Sequence, residues 1–199
     1  MQHARGALAQ PDARTSRVAF AGVEVGDWID PSGETFYLRD EETARFWSPV
    51  ALPGDGASSC TARHGFGYSV FEHLEAGIAS EAWAYVAIDA PVKLMVFKLR
   101  NRSEAARKLS VTGALSLVLG DTRLRHSMHV VTEVDPRSGA LFARNPFNAD
   151  FPGRVAFLEV SEPQRTFTAD RTELLGRNGS PAAPAAMFAE GLSGRVGGG

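Results

Sequence analysis

From Thr35 onward, apolar and polar residues alternate with a period of two in short runs closed by turn residues, the pattern of half-buried β-strands. In "LSVTGALSLVLG", Val111, Gly113, Leu115, Leu117 and Leu119 fall on one face and Ser110, Thr112, Ala114 and Ser116 on the other, which predicts a strand with one buried side. "PVKLMVFKLRN" differs, because Val92, Leu94 and Val96 oppose Met95, Phe97 and Leu99. Apolar residues on both faces predict a strand in the middle of stacked sheets. The polar link "NRSEAARK" is short enough to predict an antiparallel hairpin between these two runs.

"HVVTEV" from His129, "ALFARN" from Ala140 and "RVAFLEV" from Arg154 add further strands. Between the first two, "DPRSG" offers Pro136 with its preset φ and Gly139 with access to left-handed backbone, the chemistry of a type I turn closed by a glycine bulge. "DPSG" at 30–33 repeats that chemistry before "TFYL", and "GYSVFEH" joins "GIASEAWAYVAID" near Gly77. Many short strands with few helical periods predict an all-β sandwich or barrel.

One helix is predicted near the C-terminus. Ser180 can cap it, Pro181 suits the first helical position, and "AAPAAMFAEGL" carries it to Gly191. Residues 1–16 are polar and Ala-rich without a period, which predicts little order. The organisation is therefore an unmatched N-terminal segment over 1–28, a β-domain over 29–179, and a helix with a truncated linker over 180–199.

Composition narrows the functional classes. A chain of 199 residues with 44% hydrophobic and 22% charged residues can bury a core of ordinary size. A formal charge of -2, with arginines scattered, provides no basic field for nucleic acid or an anionic membrane. The single cysteine, Cys60, excludes an internal disulfide and fits a reducing compartment. No run approaches the roughly 18 apolar residues of a membrane span, which implies no direct membrane insertion. The N-terminus lacks the apolar core of a secretory signal.

Candidate chemistry is sparse. On a strand, His126 and His129 would point to opposite faces and could not grip one metal, and the same parity separates His73 from His64 and Glu72. No metal site or cofactor is therefore expected. His129, Val131 and Glu133 share a strand face, which leaves a His129/Glu133 acid–base pair as an alternative to exposed edge residues. Cys60 beside His64 lacks a third group to orient the imidazole, and "GFGYS" lacks the lysine and helix of a phosphate loop. The density of "YLRDEETARFWSP" is more suggestive. Arg39, Asp40, Trp47, Arg63, His64 and Tyr68 combine flat rings with bidentate polar groups, the chemistry that holds the C–H faces and hydroxyls of sugars. The competing reading places Phe66 and Trp83 in the core and leaves Trp47 and Tyr68 open between core and sugar contact.

"YLRDEETARFWSPVALP", "RHGFGYSVFEH" and "DAPVKLMVFKLRNRSEAARKLSVTG" resemble, in order and spacing, one region of the cellobiose-phosphorylase-type carbohydrate enzymes, formerly glycosyltransferase family 36. "HVVTEVDPRSGALFARNPFNADFPGRVAFLEV" and "DRTELLGRNGS" are most similar to the cyclic β-1,2-glucan synthase branch. The resemblance implies an antiparallel β-supersandwich, galactose-mutarotase-like, with a short C-terminal helix. It also implies that catalysis lies in an (α/α)6 barrel of the same polypeptide, for which this region is a support. On that basis the chain carries no catalytic residue. Its partners are the barrel, a β-glucan or β-glucoside through the full-length enzyme, and in some members a second copy in a homodimer. The resemblance implies a cytoplasmic location, on the cytoplasmic side of the inner membrane if the chain is part of a full-length synthase. A free-standing carbohydrate-binding module and a mutarotase-like enzyme using His129 and Glu133 are the alternatives. "RDEET" then reads as a structural hairpin whose arginine and acids form ion pairs.

Overall fold

The structure, a computed structural model, describes residues 2–8, 15–22, 33–50, 60–150 and 152–198. Thirteen strands carry the described fold: β1 (Gln2–Leu8), β2 (Thr15–Gly22), β3 (Glu34–Asp40), β4 (Phe46–Trp47), β5 (Cys60–Gly65), β6 (Tyr68–Glu75), β7 (Ile78–Val86), β8 (Lys93–Asn101), β9 (Leu109–Leu115), β10 (Val131–Val134), β11 (Leu141–Arg144), β12 (Val155–Val160) and β13 (Arg165–Thr168). They form a five-stranded sheet, β13-β1-β9-β3-β4, and an eight-stranded sheet, β10-β11-β12-β2-β8-β7-β6-β5. All neighbours pair antiparallel. This is the all-β sandwich that the alternation predicts.

The two sheets meet over a core centred on three phenylalanines. Phe20 of β2 stands edge-on to Phe36 of β3 at 5.4 Å between centroids, and Phe97 of β8 lies 5.0 Å from Phe36. Such offset and edge-to-face pairs are favoured by the ring quadrupoles. Gly113 of β9 is what lets them close. A Cβ there would come within 2.9 Å of Phe20 and 3.0 Å of Phe36.

The five-stranded sheet is buried on both faces. In β9, Val111 and Leu115 point to the main core, while Ser110, Thr112 and Ala114 are also buried on the other side. The expectation of one buried side is corrected here. Tyr37 and Ala114 form a second core with Leu174, Leu175, Ala186, Met187 and Leu192 from the C-terminal segment. That segment contains the helix α2 (Arg171–Leu175), capped by Asp170 accepting from the amides of Thr172 at 2.7 Å and Glu173 at 3.3 Å, and ended by Gly176 at φ 86°. The α-helix expected from Ser180 is instead a 3₁₀ turn over Ala185–Phe188, N-capped by Pro184. Pro184 falls inside the expected helix, where it removes a donor and disfavours helical backbone at Ala183. Tyr37 fastens the cover by donating to the Pro181 carbonyl at 2.6 Å.

Two further expectations change. Strands β8 and β9 do not form a hairpin, because β8 lies in the larger sheet and β9 in the smaller, so residues 102–108 cross between layers. Residues 2–8 and 15–22 are strands rather than an unstructured lead, pairing with β9 and β13 and with β8 and β12 respectively. The 135–139 turn is as expected, with Gly139 at φ 74° and the Asp135 carbonyl accepting from its amide at 2.8 Å. Residues 30–32 of the "DPSG" turn, and residues 51–59 of the glycine- and serine-rich loop before Cys60, lie outside the described residues.

Replacing Gly113 with alanine should overpack the phenylalanine cluster and destabilise the chain by about 1–3 kcal/mol. A thermal melt of G113A against wild type measures this; an unchanged midpoint would contradict the close approach.

Candidate functional site

Strand registers sort the side chains into two ends of the sandwich. Asp40 pairs with Leu109, Ile78 with Asn101 and Glu75 with Ile78, so these positions share one end. Glu34 pairs with Leu115, Lys93 with Val86 and Gly22, Leu158 with Gly22, and Arg144 with Val155, which gathers the start of β3 and β8 with the ends of β9 and β11 at the other.

The first end is locked by charge. Asp40 is fully buried, and its Oδ1 accepts from the amides of Glu42 at 2.9 Å and Thr43 at 3.2 Å. Its Oδ2 accepts from Arg107 through Nε at 2.7 Å and through Nη2, while Arg107 Nη1 reaches the Ala76 carbonyl at 3.1 Å. Arg39 pairs with Glu41 at 2.8 Å and donates to the Ala189 carbonyl at 3.2 Å; Arg45 pairs with Glu75. Every polar atom of Asp40 is spoken for within the chain. The "RDEET" stretch is therefore a structural β3–β4 hairpin, with Ala44 at φ 56° in its turn, and among the described residues the side-chain partners of Arg39 and Asp40 lie within the chain. Burial pushes the Asp40 carboxyl up, but the two amides and the Arg107 guanidinium outweigh it and hold it below the usual range.

The other end is open. Between the sheets lies a cleft of about 700 Å³ lined by Phe36, Phe71, Tyr85 and Met95, with Tyr68 at its mouth and the Lys93–Glu34 ion pair, 2.6 Å, at its side. Tyr68 stacks on Trp83 at 5.5 Å, and Lys98 lies over the Trp83 ring at 4.7 Å while pairing with Glu81 at 2.9 Å. Phe66, expected in the core, is wholly exposed in the β5–β6 turn, and Trp83 is on the outer face of the larger sheet. Trp47 is the reverse case: it lies in the main core, its indole nitrogen without a partner among the described residues, and cannot serve as a sugar platform. Arg63 pairs with Glu72 at 3.0 Å on the exposed face, and His64 Nδ1 lies 2.9 Å from Ser69 Oγ. Of the six expected contact residues, Tyr68 lines the larger cleft found among the described residues, and the other five line neither it nor the second cleft below.

A second cleft of about 300 Å³ opens at this same end, in the loops after β9 and β11. Leu119 has φ 50°, an uncommon and strained setting for a branched residue. Its carbonyl is held by the side-chain amides of Asn145 at 3.1 Å and Asn148 at 3.0 Å. Asn145 Oδ1 accepts from the Phe147 amide at 2.9 Å, which fixes the amide's orientation, so its nitrogen donates to His126 Nδ1, 2.9 Å away. His126 then presents Nε2–H to Asp121 Oδ1 at 2.8 Å. Arg125, which pairs with Asp121 at 3.0 Å, is the main cause that holds this carboxyl below the usual range. Gly120 must lack a side chain, because a Cβ there would enter the His126 ring.

His126 ends the helix α1 (Arg123–His126) and His129 ends a 3₁₀ turn, so neither is on a strand. His129 stacks on Phe147 at 4.2 Å, whereas Glu133 of β10 pairs with Arg144. In place of the alternative His129/Glu133 acid–base pair there are two separate contacts. His73 is buried opposite Cys60 on β5, both ring nitrogens without partners among the described residues. No cluster of three metal-ligating side chains occurs among the described residues, and no described helix is long and apolar enough to cross a membrane. Sequence parity missed the second cleft because its residues come from loops. The clue available was "RNPFN", where Asn side chains flanking a proline commonly bind nearby backbone.

Two antiparallel sheets with a covered outer face define the class, a supersandwich. Residues 27–199 match the family described as "Glycosyl hydrolase 94, supersandwich domain", and the chain belongs to it. It is 37% identical over 161 residues to the cyclic beta-(1,2)-glucan synthase NdvB of Rhizobium meliloti (strain 1021), covering 80% of this chain and 6% of that protein. It is 34% identical over 104 residues to the solabiose phosphorylase of Paenibacillus borealis, covering 45% and 13%. Similarity to the N,N'-diacetylchitobiose phosphorylase of Vibrio furnissii is 27% over 167 residues, covering 79% and 21%. The chain thus spans about a fifth or less of the length of these relatives, and the family expected from the motifs is the one found.

The Asp40 carboxylate is ionised more readily folded than unfolded. Its stabilisation is present above the unfolded value near 4 and is lost as pH falls through the lower folded value. Asp40→Asn should cost about 3 kcal/mol at neutral pH and flatten the loss of stability below about pH 4. Urea melts across that range measure both, and a D40N chain as stable as wild type at pH 7 would overturn the role given to Arg107.

Proposed function

We propose that this chain is the non-catalytic sandwich of a larger cyclic β-1,2-glucan synthase or β-glucoside phosphorylase-like enzyme, carrying the catalytic (α/α)6 barrel and contributing to the border of its sugar site. One observation carries this reading. Among the described residues, Phe66, Tyr68, Val86, Ile88, Leu124 and Phe147 are all exposed and all gather at the open end, while the opposite end is closed by ion pairs. Leu74 and Phe188 lie away from it, and Met128, Val131, Val155 and Val196 are further exposed apolar side chains. A one-ended apolar surface is what a monomer avoids and an interface requires. The acids that suggested chemistry point the same way, since Asp40 is consumed by Arg107 and Glu133 by Arg144. The names of the relatives, a glucan synthase and two phosphorylases, supply the substrate class of the proposal.

The 199-residue chain alone should neither make nor phosphorolyse a β-glucoside, and should self-associate with rising concentration in sedimentation velocity. Ile88→Lys or Phe66→Ser should shift it towards monomer without moving the melting midpoint, because both side chains are fully exposed. A wild-type chain that stays monomeric across the concentration range, or that turns over a β-glucoside unaided, would defeat the proposal.

A further inference from the structure

The chain has four asparagines, and the structure treats one of them differently from the rest. Asn101 is tied on both sides: its Oδ1 accepts from the Ser103 amide at 3.0 Å and its Nδ2 donates to the Ala105 carbonyl at 2.7 Å. Asn145 and Asn148 both donate to the Leu119 carbonyl, and Asn145 precedes a proline, which has no backbone N–H. Asn178 is exposed in the turn after α2, and its side-chain amide has no partner among the described residues.

The residue after Asn178 is glycine, and packing demands it. Gly179 passes so close to the Leu175 carbonyl that a Cβ there would run into it. The peptide nitrogen beside the Asn178 side chain therefore belongs to a residue with no side chain to shield it. Its N–H reaches the Gly176 carbonyl at 3.3 Å, long for an amide hydrogen bond, so the nitrogen is weakly held. A free carboxamide thus stands next to an open main-chain nucleophile.

We propose that Asn178–Gly179 is a self-modification site of the folded chain. The Gly179 nitrogen gives its proton to solvent base and attacks Asn178 Cγ. The N–Cγ bond forms, the Cγ–Nδ2 bond breaks, and ammonia leaves with a proton from water, closing a succinimide ring. Water then opens the ring. Cleavage of the new N–Cγ bond leaves aspartate, whereas cleavage of the original peptide bond leaves isoaspartate, whose main chain runs through Cβ and Cγ. No electrons are transferred, and water is the only co-reactant.

The flanking contacts give the change a consequence. The link 176–184 joins Leu174 and Leu175 to Ala186 and Met187, all buried in the core that covers the smaller sheet. Tyr37 pins that link by donating to the Pro181 carbonyl at 2.6 Å. Isoaspartate lengthens it by one C–C bond, about 1.5 Å, between two fixed points. The cover then loosens with the age of the chain rather than with a ligand. This inference stands apart from the docking surface, which other residues carry.

The test holds the folded 199-residue chain at mildly alkaline pH for days and then digests it with a glutamate-specific protease. In the peptide 174–190, Asn178 is the only asparagine. That peptide is expected to gain the mass of an amide-to-acid exchange, ahead of the peptides carrying Asn101 and Asn148, and to accept a methyl group from a protein isoaspartyl methyltransferase. Asn178→Gln, whose longer side chain closes the ring poorly, should abolish both and leave the melting midpoint in place. The isoaspartyl fraction, separated by anion exchange, should melt a few degrees below fresh chain. Asn178→Asp, which adds the charge without the extra bond, should melt with wild type. No conversion in the folded chain, equal conversion at Asn101 or Asn148, or an isoaspartyl fraction that melts with wild type would each overturn the proposal.

Discussion

The five-stranded sheet is buried on both faces, and the rest of the molecule follows from that. Its inner face must pack on the eight-stranded sheet through Phe20, Phe36 and Phe97. Its outer face must find a second apolar partner, and the C-terminal segment supplies Leu174, Leu175, Met187 and Leu192. Among the described residues both faces of the smaller sheet are thus consumed, and the larger sheet's outer face carries ion pairs such as Arg63–Glu72 and Lys98–Glu81.

The two ends have opposite chemistry. At one, Asp40 and Arg107 join the β3–β4 hairpin to the crossing that connects the layers, and burial makes that ion pair costly to break from either side. Rigidity there holds the register of β3 and β9, so the loops leaving their far ends are set in fixed positions. At the other end those loops carry exposed rings, a strained leucine and a line of polar side chains. Among the described residues one end is thus closed by ion pairs and the other carries exposed rings, and the relatives this chain matches are several times its length.

Many of the conspicuous side chains changed meaning in three dimensions. Trp47 and Asp40 stand out in the sequence for their chemistry, yet both are buried parts of the frame. Asn145 and Asn148 do not stand out, because amides in a loop are commonplace, yet together they hold Leu119. Parity predicts a strand face for His129, but parity has no meaning in the 3₁₀ turn it occupies. Tyr68, by contrast, lies at a cleft.

Alternation along the chain determined β3 and β6 to β12, because side chains of an extended backbone must point to opposite faces, but it did not show β1, β2, β4, β5 or β13. The 135–139 turn and the 76–77 turn were equally local, each resting on a glycine with φ near 75°. Motif order determined the family. Tertiary structure alone decided which sheet each strand joins, because a short polar link such as 102–108 can close a hairpin or cross between layers with equal ease. It also decided that the smaller sheet is covered twice, since buried Ser110 and Thr112 look like solvent-facing residues until a distant segment lands on them. The polar cleft belongs to the same category: its walls come from loops some 25 residues apart in the chain, brought together only by the pairing of β11 with β12 and the closing of the two sheets.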